Sequence, residues 1–243
     1  MLALAPAMAI FYHVIGENAV LVCCFIFAGF LWLISFTLAS MMYKAMASQT
    51  AVLVIATVAF TELARWALYV IARESAVHIF PTNPRRDALT RRPAVATAIG
   101  LGIAVTQTLV VHGQVLAEAR GYGTYYSPGC SAMPLFVSVA IQCSLLTVLQ
   151  VLWTMLFFDG LRRVRRRQVG GTVAGHFGMM ALNMTLREGS EGGCVVNIAV
   201  SLCTVAIYGV CAYRVFHSRA QGWEHMQRLE DAPEHNEAAQ IAS

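Results

Sequence analysis

The chain has 243 residues, of which 58% are hydrophobic and only 12% are charged, and its mean hydropathy is +0.61. In a typical soluble domain about 25% of residues are charged, so this chain has too few charges to cover a folded surface in water. Its formal net charge of +4 comes from basic clusters between long apolar stretches. This pattern excludes a nucleic-acid-binding domain and favours a polytopic membrane protein.

Seven apolar segments follow one another, and a membrane-spanning helix needs about 20 residues. Their ranges are 1–15, 19–42, 50–71, 94–117, 133–158, 169–186 and 194–213. The first is short, so we expect a brief first helix or one whose upstream part is absent from this sequence. We therefore predict an all-α fold with a seven-helix transmembrane domain over residues 1–213. Residues 214–243 mix charged, proline and small residues, and we predict a cytosolic tail without fixed structure.

Lysine and arginine are distributed unevenly between the two sides of this arrangement. Alternate loops and the tail hold thirteen of the seventeen basic residues, and the opposite loops hold Lys44, Arg120 and Arg187. Because positively charged loops stay in the cytosol, we predict a lumenal or extracellular N-terminus and a cytosolic C-terminus. The topology-setting residues directly after the fifth helix are Arg162, Arg163, Arg165, Arg166 and Arg167.

The end of the fifth predicted helix is typical of a membrane border. The segment 150–167 contains Trp153, Phe157 and Phe158, followed by Asp159-Gly160 and the arginines. Aromatic side chains are enriched at the level of the lipid headgroups. We therefore interpret these three aromatic residues as an interfacial belt and predict that the helix ends at Asp159-Gly160.

No catalytic or metal-binding constellation is present in the sequence. An intramembrane aspartyl protease needs two membrane-embedded aspartates, whereas Asp87, Asp159 and Asp231 fall in loops, at a boundary or in the tail. A metalloprotease helix would contain an HExxH motif, and there is none. The seven cysteines show no CxxC or Cys/His metal spacing. We expect no metal and no cofactor.

Two cysteines lie away from the centres of the apolar runs: Cys130 is in a predicted loop and Cys194 is at the start of the seventh predicted helix. A disulfide between them is compatible with their positions. We favour coincidence over a disulfide for this pair. The other five cysteines fall inside apolar runs, where a thiol behaves as a small hydrophobic group.

Glu62, Arg65 and His176 are ionisable residues inside predicted spans, and we consider them candidates for a buried polar site. Glu62 and Arg65 are one helical turn apart and can pair on one face of the third helix. We favour a structural ion pair that fixes helix packing over an ion pathway. His176 in the sixth helix can hydrogen-bond between helices, and its neighbours Gly175 and Gly178 predict close approach by another helix.

The fourth predicted helix carries a stripe of small residues at every fourth position: Ala98, Gly102 and Thr106. Such a stripe lets helix backbones approach closely in a membrane. The partner is either a neighbouring helix of the same chain or another subunit.

Several segments together resemble one family, the anterior-pharynx-defective (Aph) subunit of γ-secretase. The matching segments are FLWLISFTLASMMY in the second helix, TELARWALYVIARES in the third, TYYSP followed by LLTVLQVLWTMLFFDGLRRVRRR at the fifth, and VAGHFGMMALN in the sixth. The likeness covers the chain from about Ala5 to the seventh helix and leaves the tail outside it.

The resemblance implies a non-catalytic scaffold with seven membrane helices and a lumenal N-terminus. Such a subunit assembles with nicastrin, then supports presenilin and the small presenilin-enhancer subunit. The resemblance implies that the γ-secretase complex, and not this subunit, cleaves single-span membrane proteins, including those of the Notch signalling pathway. It also implies a location in the endoplasmic reticulum, Golgi, endosomes and plasma membrane.

The resemblance also implies roles for particular residues. The central glycine of the family's stripe maps to Gly102, and its sixth-helix cavity histidine maps to His176. The fifth-helix cavity histidine maps to Gln150, which can hydrogen-bond but cannot titrate near neutral pH. A mechanism that protonates a histidine pair is therefore not expected here.

Two other classes share parts of this pattern. A seven-helix receptor would be expected to show a DRY-like triplet after the third helix and NPxxY in the seventh, and neither is present. A small transporter or channel could use Glu62, Arg65 and His176, and its activity would be measurable with this chain alone.

Overall fold

The computed structural model of the protein is a bundle of packed helices. It describes residues 2–46, 50–79, 93–113, 133–189 and 193–230. Residues 80–92 and 114–132 lie outside the described residues; they contain most of the predicted loop 73–93, all of the predicted loop 118–131, and Cys130.

Seven helical segments make up the described part of the chain, which confirms the predicted all-α fold and its helix count. The first is α1 (Ala5–Ile10), flanked by a 3-10 turn (Leu2–Leu4) and a π-helical turn (Phe11–Ile15). The others are α2 (Ala19–Ala45), α3 (Thr50–Ile79), α4 (Pro93–Gln107, continued by a π-helical turn, Thr108–His112), α5 (Leu135–Arg162), α6 (Arg166–Gly189) and α7 (Gly193–Glu230).

Five helical segments of the described residues are long and apolar enough to cross a membrane: Ala19–Ala45, Ala51–Ser75, Pro93–Val110, Leu135–Arg162 and Gly193–His217. The first segment is a shorter apolar helix, Ala5–Ile15, and α6 carries charged residues at both of its ends. Within a bilayer, backbone N–H and C=O groups must be hydrogen-bonded inside the segment itself, and an α-helix meets this requirement. The chain is therefore an integral, multi-pass membrane protein.

The most buried span is the one containing α4, with 67% of its residues inside the bundle. It packs against α2 on one side and α5 on the other. At Gly102 a Cβ atom would overlap the carbonyl oxygen of Phe25 in α2, and at Gly100 it would lie 2.8 Å from the Cα atom of Val151 in α5. Residues two positions apart in an α-helix point about 200° away from each other, so Gly100 and Gly102 lie on opposite faces of α4.

The stripe of Ala98, Gly102 and Thr106 contacts α2 of the same chain. Ala98 is fully buried, and the hydroxyl of Thr106 lies 2.5 Å from where a Cβ of Gly29 would stand. The Thr106 hydroxyl donates a hydrogen bond to the Gly102 carbonyl at 2.9 Å. Of the two partners left open by the sequence, the structure selects the neighbouring helix. We call this contact between α2 and α4 the α2–α4 seam.

The interpretation of Trp153, Phe157 and Phe158 as a lipid-facing belt is wrong. These side chains are 0%, 4% and 9% exposed, respectively. Phe158 meets the ring of Tyr69 in α3 edge-on, with ring centroids 5.3 Å apart. The aromatic residues point into the bundle, on the part of α5 that packs against neighbouring helices; α5 contacts α4, α6 and α7.

The predicted end of the fifth helix at Asp159-Gly160 is also wrong, because α5 continues to Arg162. A Cβ at position 160 would lie 2.8 Å from a methyl carbon of Val169 in α6. Gly160 therefore gives the next helix room to pack and does not terminate its own helix.

The last helix extends beyond the predicted membrane segment. It runs to Glu230, so the predicted unstructured tail is helical over residues 214–230. No proline interrupts the sequence between Gly193 and Pro233, and arginine, glutamine, glutamate and leucine are good helix formers. Residues 231–243 lie outside the described range.

Candidate functional site

Six polar side chains from four helices meet inside the bundle. We call this group the Arg65 cluster, and its members are Glu62 and Arg65 on α3, Gln107 on α4, Gln150 and Thr154 on α5, and His176 on α6. Every member is at most 8% exposed. A buried charge at this depth is costly unless it is paired, so the contacts within the cluster determine what it does.

Arg65 is the centre of the cluster and is fully buried. Its guanidinium donates to the Glu62 carboxylate, to the side-chain oxygen of Gln150, and to the Thr154 hydroxyl at 3.1 Å. The backbone of α3 packs against α2 and α6, and the long side chain of Arg65 reaches across to α5. The predicted ion pair between Glu62 and Arg65 is therefore present, and it also links helices.

His176 joins the cluster through the carboxylate. Its Nδ1 lies 2.6 Å from Glu62 Oε1 and 3.5 Å from the nearest Arg65 nitrogen. Because an ionised carboxylate only accepts hydrogen bonds, and it is the nearer of the two groups, we assign a hydrogen to Nδ1 that it donates to Glu62. Among the described residues, Nε2 of His176 and Oε2 of Glu62 are buried without a hydrogen-bond partner.

Gln150 connects Arg65 to α4. Its oxygen accepts from Arg65, and its nitrogen donates to the side-chain oxygen of Gln107 at 2.7 Å. A neutral imidazole also offers one acceptor and one donor, so a glutamine can replace both of its hydrogen bonds. Titration near neutral pH is the property that the glutamine lacks.

α6 and α7 pack closely next to His176, at Gly175 and Tyr208. A Cβ at Gly175 would overlap the hydroxyl of Tyr208, and that hydroxyl donates to the Gly171 carbonyl at 2.7 Å. The predicted close approach at Gly175 is thus present. At Gly178, no described residue other than those of its own stretch of helix lies within 4 Å of the position of a Cβ. The centroid of the Trp153 ring lies 4.8 Å from that of the His176 ring, so Trp153 packs against the imidazole.

A second polar group lies at the end of α5. Asp159 is 4% exposed; its Oδ1 pairs with Arg163 Nε at 3.3 Å, and its Oδ2 accepts from Gln168 at 3.2 Å. Gln168 also donates to the Leu156 carbonyl at 2.9 Å. This acid therefore ties the start of α6 to the end of α5, at a distance from the Arg65 cluster.

The interpretation of the Cys194 position as coincidence is wrong, because Cys194 is disulfide-bonded. The cysteines at 23, 24, 143, 203 and 211 are free thiols. A disulfide forms and persists in an oxidising compartment.

Two buried carboxylates, Glu62 and Asp159, are described, and each is held by cations or amides in a separate place. In the part of the chain that the structure describes, no group of three His, Cys, Asp or Glu side chains could hold a metal ion. The Arg65 cluster is suited to joining α3, α4, α5 and α6 by paired charges.

Comparison with known proteins identifies the family. The family model described as "Aph-1 protein" matches residues 1–219. The chain belongs to the Aph-1 family. Its relatives include the gamma-secretase subunit Aph-1 of Drosophila melanogaster, which is 26% identical over 88% of this chain and 89% of that protein.

Further relatives of the Aph-1 family carry related names. The gamma-secretase subunit APH1-like of Arabidopsis thaliana is 24% identical over 93% of this chain and 92% of that protein. The gamma-secretase subunit Aph-1b of Danio rerio is 24% identical over 87% of this chain and 86% of its own length. The resemblance recognised in the sequence is confirmed.

Three contributors to the packed interior were not predicted. Gln107 and Thr154 are single polar residues within apolar spans, and Gly100 lies between members of the small-residue stripe. A lone glutamine inside a span is a signal for a buried hydrogen bond, because an unpaired amide in hydrocarbon is costly. Gly100 gave no signal, since the stripe pattern marks one helix face and Gly100 lies on the other.

Proposed function

We propose that this protein is a non-catalytic scaffold subunit of a γ-secretase-type intramembrane aspartyl protease complex. The observation that carries the proposal is the match of the Aph-1 family model to residues 1–219, together with relatives named gamma-secretase subunits. In this role the chain supports assembly of the complex, maturation of presenilin and cleavage of single-span membrane proteins.

The chemistry of the interior supports a scaffold role. An aspartyl protease needs two aspartates that share a proton, and the three aspartates of this chain lie at 87, 159 and 231. Asp159 is engaged by Arg163 and Gln168. The other buried acid, Glu62, is engaged by Arg65 and His176, so it acts as a helix connector.

The proposed partners follow from the family. They are presenilin, which would supply the catalytic aspartates, nicastrin and the small presenilin-enhancer subunit, all embedded in or attached to the lipid bilayer. The complex would reside in the endoplasmic reticulum, Golgi, endosomes and plasma membrane.

The proposed orientation has a lumenal or extracellular N-terminus and a cytosolic C-terminus. The uneven distribution of lysine and arginine supports it. The disulfide at Cys194 also supports it, because in this orientation the α6–α7 connection lies on the oxidising side of the membrane. The tail of residues 214–243, with its helical portion up to Glu230, is then cytosolic.

Affinity purification from native membranes tests the proposal. We expect a tagged full chain, extracted in a mild detergent, to co-purify with presenilin-like and nicastrin-like chains. A His13→Ala variant, altered at an exposed side chain, serves as the control and should retain the same partners. Recovery of the folded chain alone, at normal abundance and without these partners, would contradict the scaffold role.

A small transporter or channel is the second candidate. The buried Glu62 Oε2 and His176 Nε2 atoms, which lack partners among the described residues, favour it. Purified chain in proteoliposomes would then carry ion flux on its own, and Glu62→Gln would abolish that flux. The scaffold proposal instead predicts flux no higher than in protein-free vesicles.

A further inference from the structure

The connection between α5 and α6 presents a dense group of cations at one end of the bundle. Five of the six residues from 162 to 167 are arginines, and we call this segment the arginine turn. The side chains of Arg163, Arg165, Arg166 and Arg167 are exposed. Asp159 pairs with Arg163, and among the described residues no carboxylate forms an ion pair with Arg165, Arg166 or Arg167.

The backbone of the arginine turn is held in a defined shape. The amide of Arg165 donates to the Gly160 carbonyl at 2.8 Å, and the amide of Val164 donates to the Leu161 carbonyl at 3.3 Å. These two bonds form the Schellman pattern that ends a helix, in which the left-handed position is usually glycine. Here Val164 occupies it, with φ 55°, a conformation that β-branched residues rarely adopt.

Val164 is also an exposed apolar side chain between arginines. It is 77% exposed, and Arg163 and Arg165 flank it directly. Membrane-surface segments combine apolar side chains that enter the headgroup region with cationic side chains that contact lipid phosphates. The arginine turn offers both kinds of side chain on one short, hydrogen-bonded segment.

Other exposed arginines lie at the same end of the bundle. The ring of Tyr69 contacts that of Phe158, which brings Arg73 on α3 to the level of the arginine turn. The Tyr208 hydroxyl bonds to Gly171, which places the following turn of α7, with the exposed Arg214, near the start of α6.

Among the side chains that the structure describes, the acids at this end are few. Glu17, before α2, and Glu74, beside Arg73, are exposed acids, and Asp159 is already paired. Within these described side chains, exposed cations therefore outnumber exposed acids around the arginine turn.

We propose that the arginine turn is a binding site for anionic phospholipid headgroups in the adjacent leaflet. The guanidinium groups of Arg165, Arg166 and Arg167 bind lipid phosphate by paired hydrogen bonds, which arginine geometry favours. Clusters of basic residues directly beside a membrane helix attract anionic lipids in this way. The site holds the α5–α6 end of the bundle at the membrane surface and does not depend on the scaffold role.

Native mass spectrometry of the purified full chain tests this site. The chain in detergent is titrated with phosphatidylserine and, in parallel, with phosphatidylcholine. We expect phosphatidylserine to bind more tightly to the wild type. Each basic residue near an anionic surface contributes roughly fivefold, so Arg166→Gln should weaken phosphatidylserine binding by about fivefold and the triple variant R165Q/R166Q/R167Q on the order of 100-fold.

Matched controls separate the site from a general effect of charge. Lys44 is an exposed cation in the last turn of α2, at the end of the bundle away from the arginine turn. Lys44→Gln should therefore leave phosphatidylserine binding unchanged. Equal binding of the two lipids by the wild type, or an equal loss in Lys44→Gln and Arg166→Gln, would overturn the proposal. Complete displacement of phosphatidylserine by millimolar inorganic phosphate would also overturn it, because the site would then bind soluble phosphate. The wild type and Arg166→Gln decide the question even if the triple variant does not fold.

Discussion

The α2–α4 seam and the Arg65 cluster are both buried in the bundle, but they are held together by opposite means. At the seam, Gly102 brings the α4 backbone against the Phe25 carbonyl with no side chain between them. In the cluster, long polar side chains span the distance between helices, and Arg65 alone reaches two residues of α5. The α2–α4 seam depends on the absence of a side chain at Gly102, and the Arg65 cluster depends on hydrogen bonds and ion pairs between side chains.

This difference predicts how each region responds to substitution. Added volume at the seam meets backbone, which cannot move without shifting a whole helix. A removed side chain in the cluster leaves a partner buried without compensation, and that cost depends on the charge of the partner. Thermal unfolding of the purified chain in detergent measures the loss of stability in each variant.

Gly102→Leu should have the largest effect. Its side chain would occupy the space of the Phe25 carbonyl and the Ala28 methyl group, so α2 and α4 must separate. Overpacking by several carbon atoms costs about 3 kcal/mol or more, and we expect little folded protein. Gly178→Leu is the matched control, because a Cβ there has no neighbour within 4 Å. Equal stability of the two variants would show that the seam is not tightly packed.

Arg65→Met should destabilise the chain by about 3–5 kcal/mol, because it leaves the Glu62 carboxylate buried without its cation. Removing both charges with Glu62→Gln and Arg65→Met should restore much of the loss, since a buried pair contributes little net stability. A double variant that is no more stable than Arg65→Met would contradict the ion pair as the main interaction of Arg65.

His176→Ala should cost about 1–3 kcal/mol, because Glu62 loses one hydrogen bond but keeps Arg65. In native membranes we expect the same variant to lower the yield of assembled complex. His13→Ala, at an exposed position, is the control and should be neutral. Unchanged unfolding and unchanged complex yield in His176→Ala would remove His176 from the packing of the core.

Gln150→His should have the smallest effect, within about 1 kcal/mol at neutral pH, because a neutral imidazole can accept from Arg65 and donate to Gln107. Gln150→Leu removes both bonds and should cost about 1–3 kcal/mol. If the histidine and leucine variants unfold at the same temperature, the hydrogen bonds of Gln150 do not stabilise the bundle.

Much of the fold could be predicted from the sequence because spans are long, apolar and separated by charge. The pairing of Glu62 with Arg65 follows from their spacing on one helix. The identity of the seam partner did not follow, since small residues at every fourth position favour any close helix. Trp153, Phe157 and Phe158 were assigned to the lipid because a lipid-facing and a protein-facing apolar residue look the same in sequence.

The contacts that cross between helices were the least predictable. Gln107 and Thr154 lie far from Arg65 in sequence, and periodicity within one helix carries no information on which helices are neighbours. The left-handed Val164 was also missed, because that position of a helix end favours glycine. The continuation of α7 to Glu230 does not follow from composition, because a mixture of charged, proline and small residues favours a tail without fixed structure, whereas many of these residues are good helix formers.

Deletion and rescue of this chain in cells tests the central claim, that it is a scaffold for a protease whose catalytic residues lie elsewhere. The measurements are the amount of assembled complex and the cleavage of a single-span membrane protein. We predict that deletion abolishes both, that wild-type chain and Gly178→Leu restore both, and that Gly102→Leu restores neither. Normal cleavage in cells that lack the chain would contradict the account.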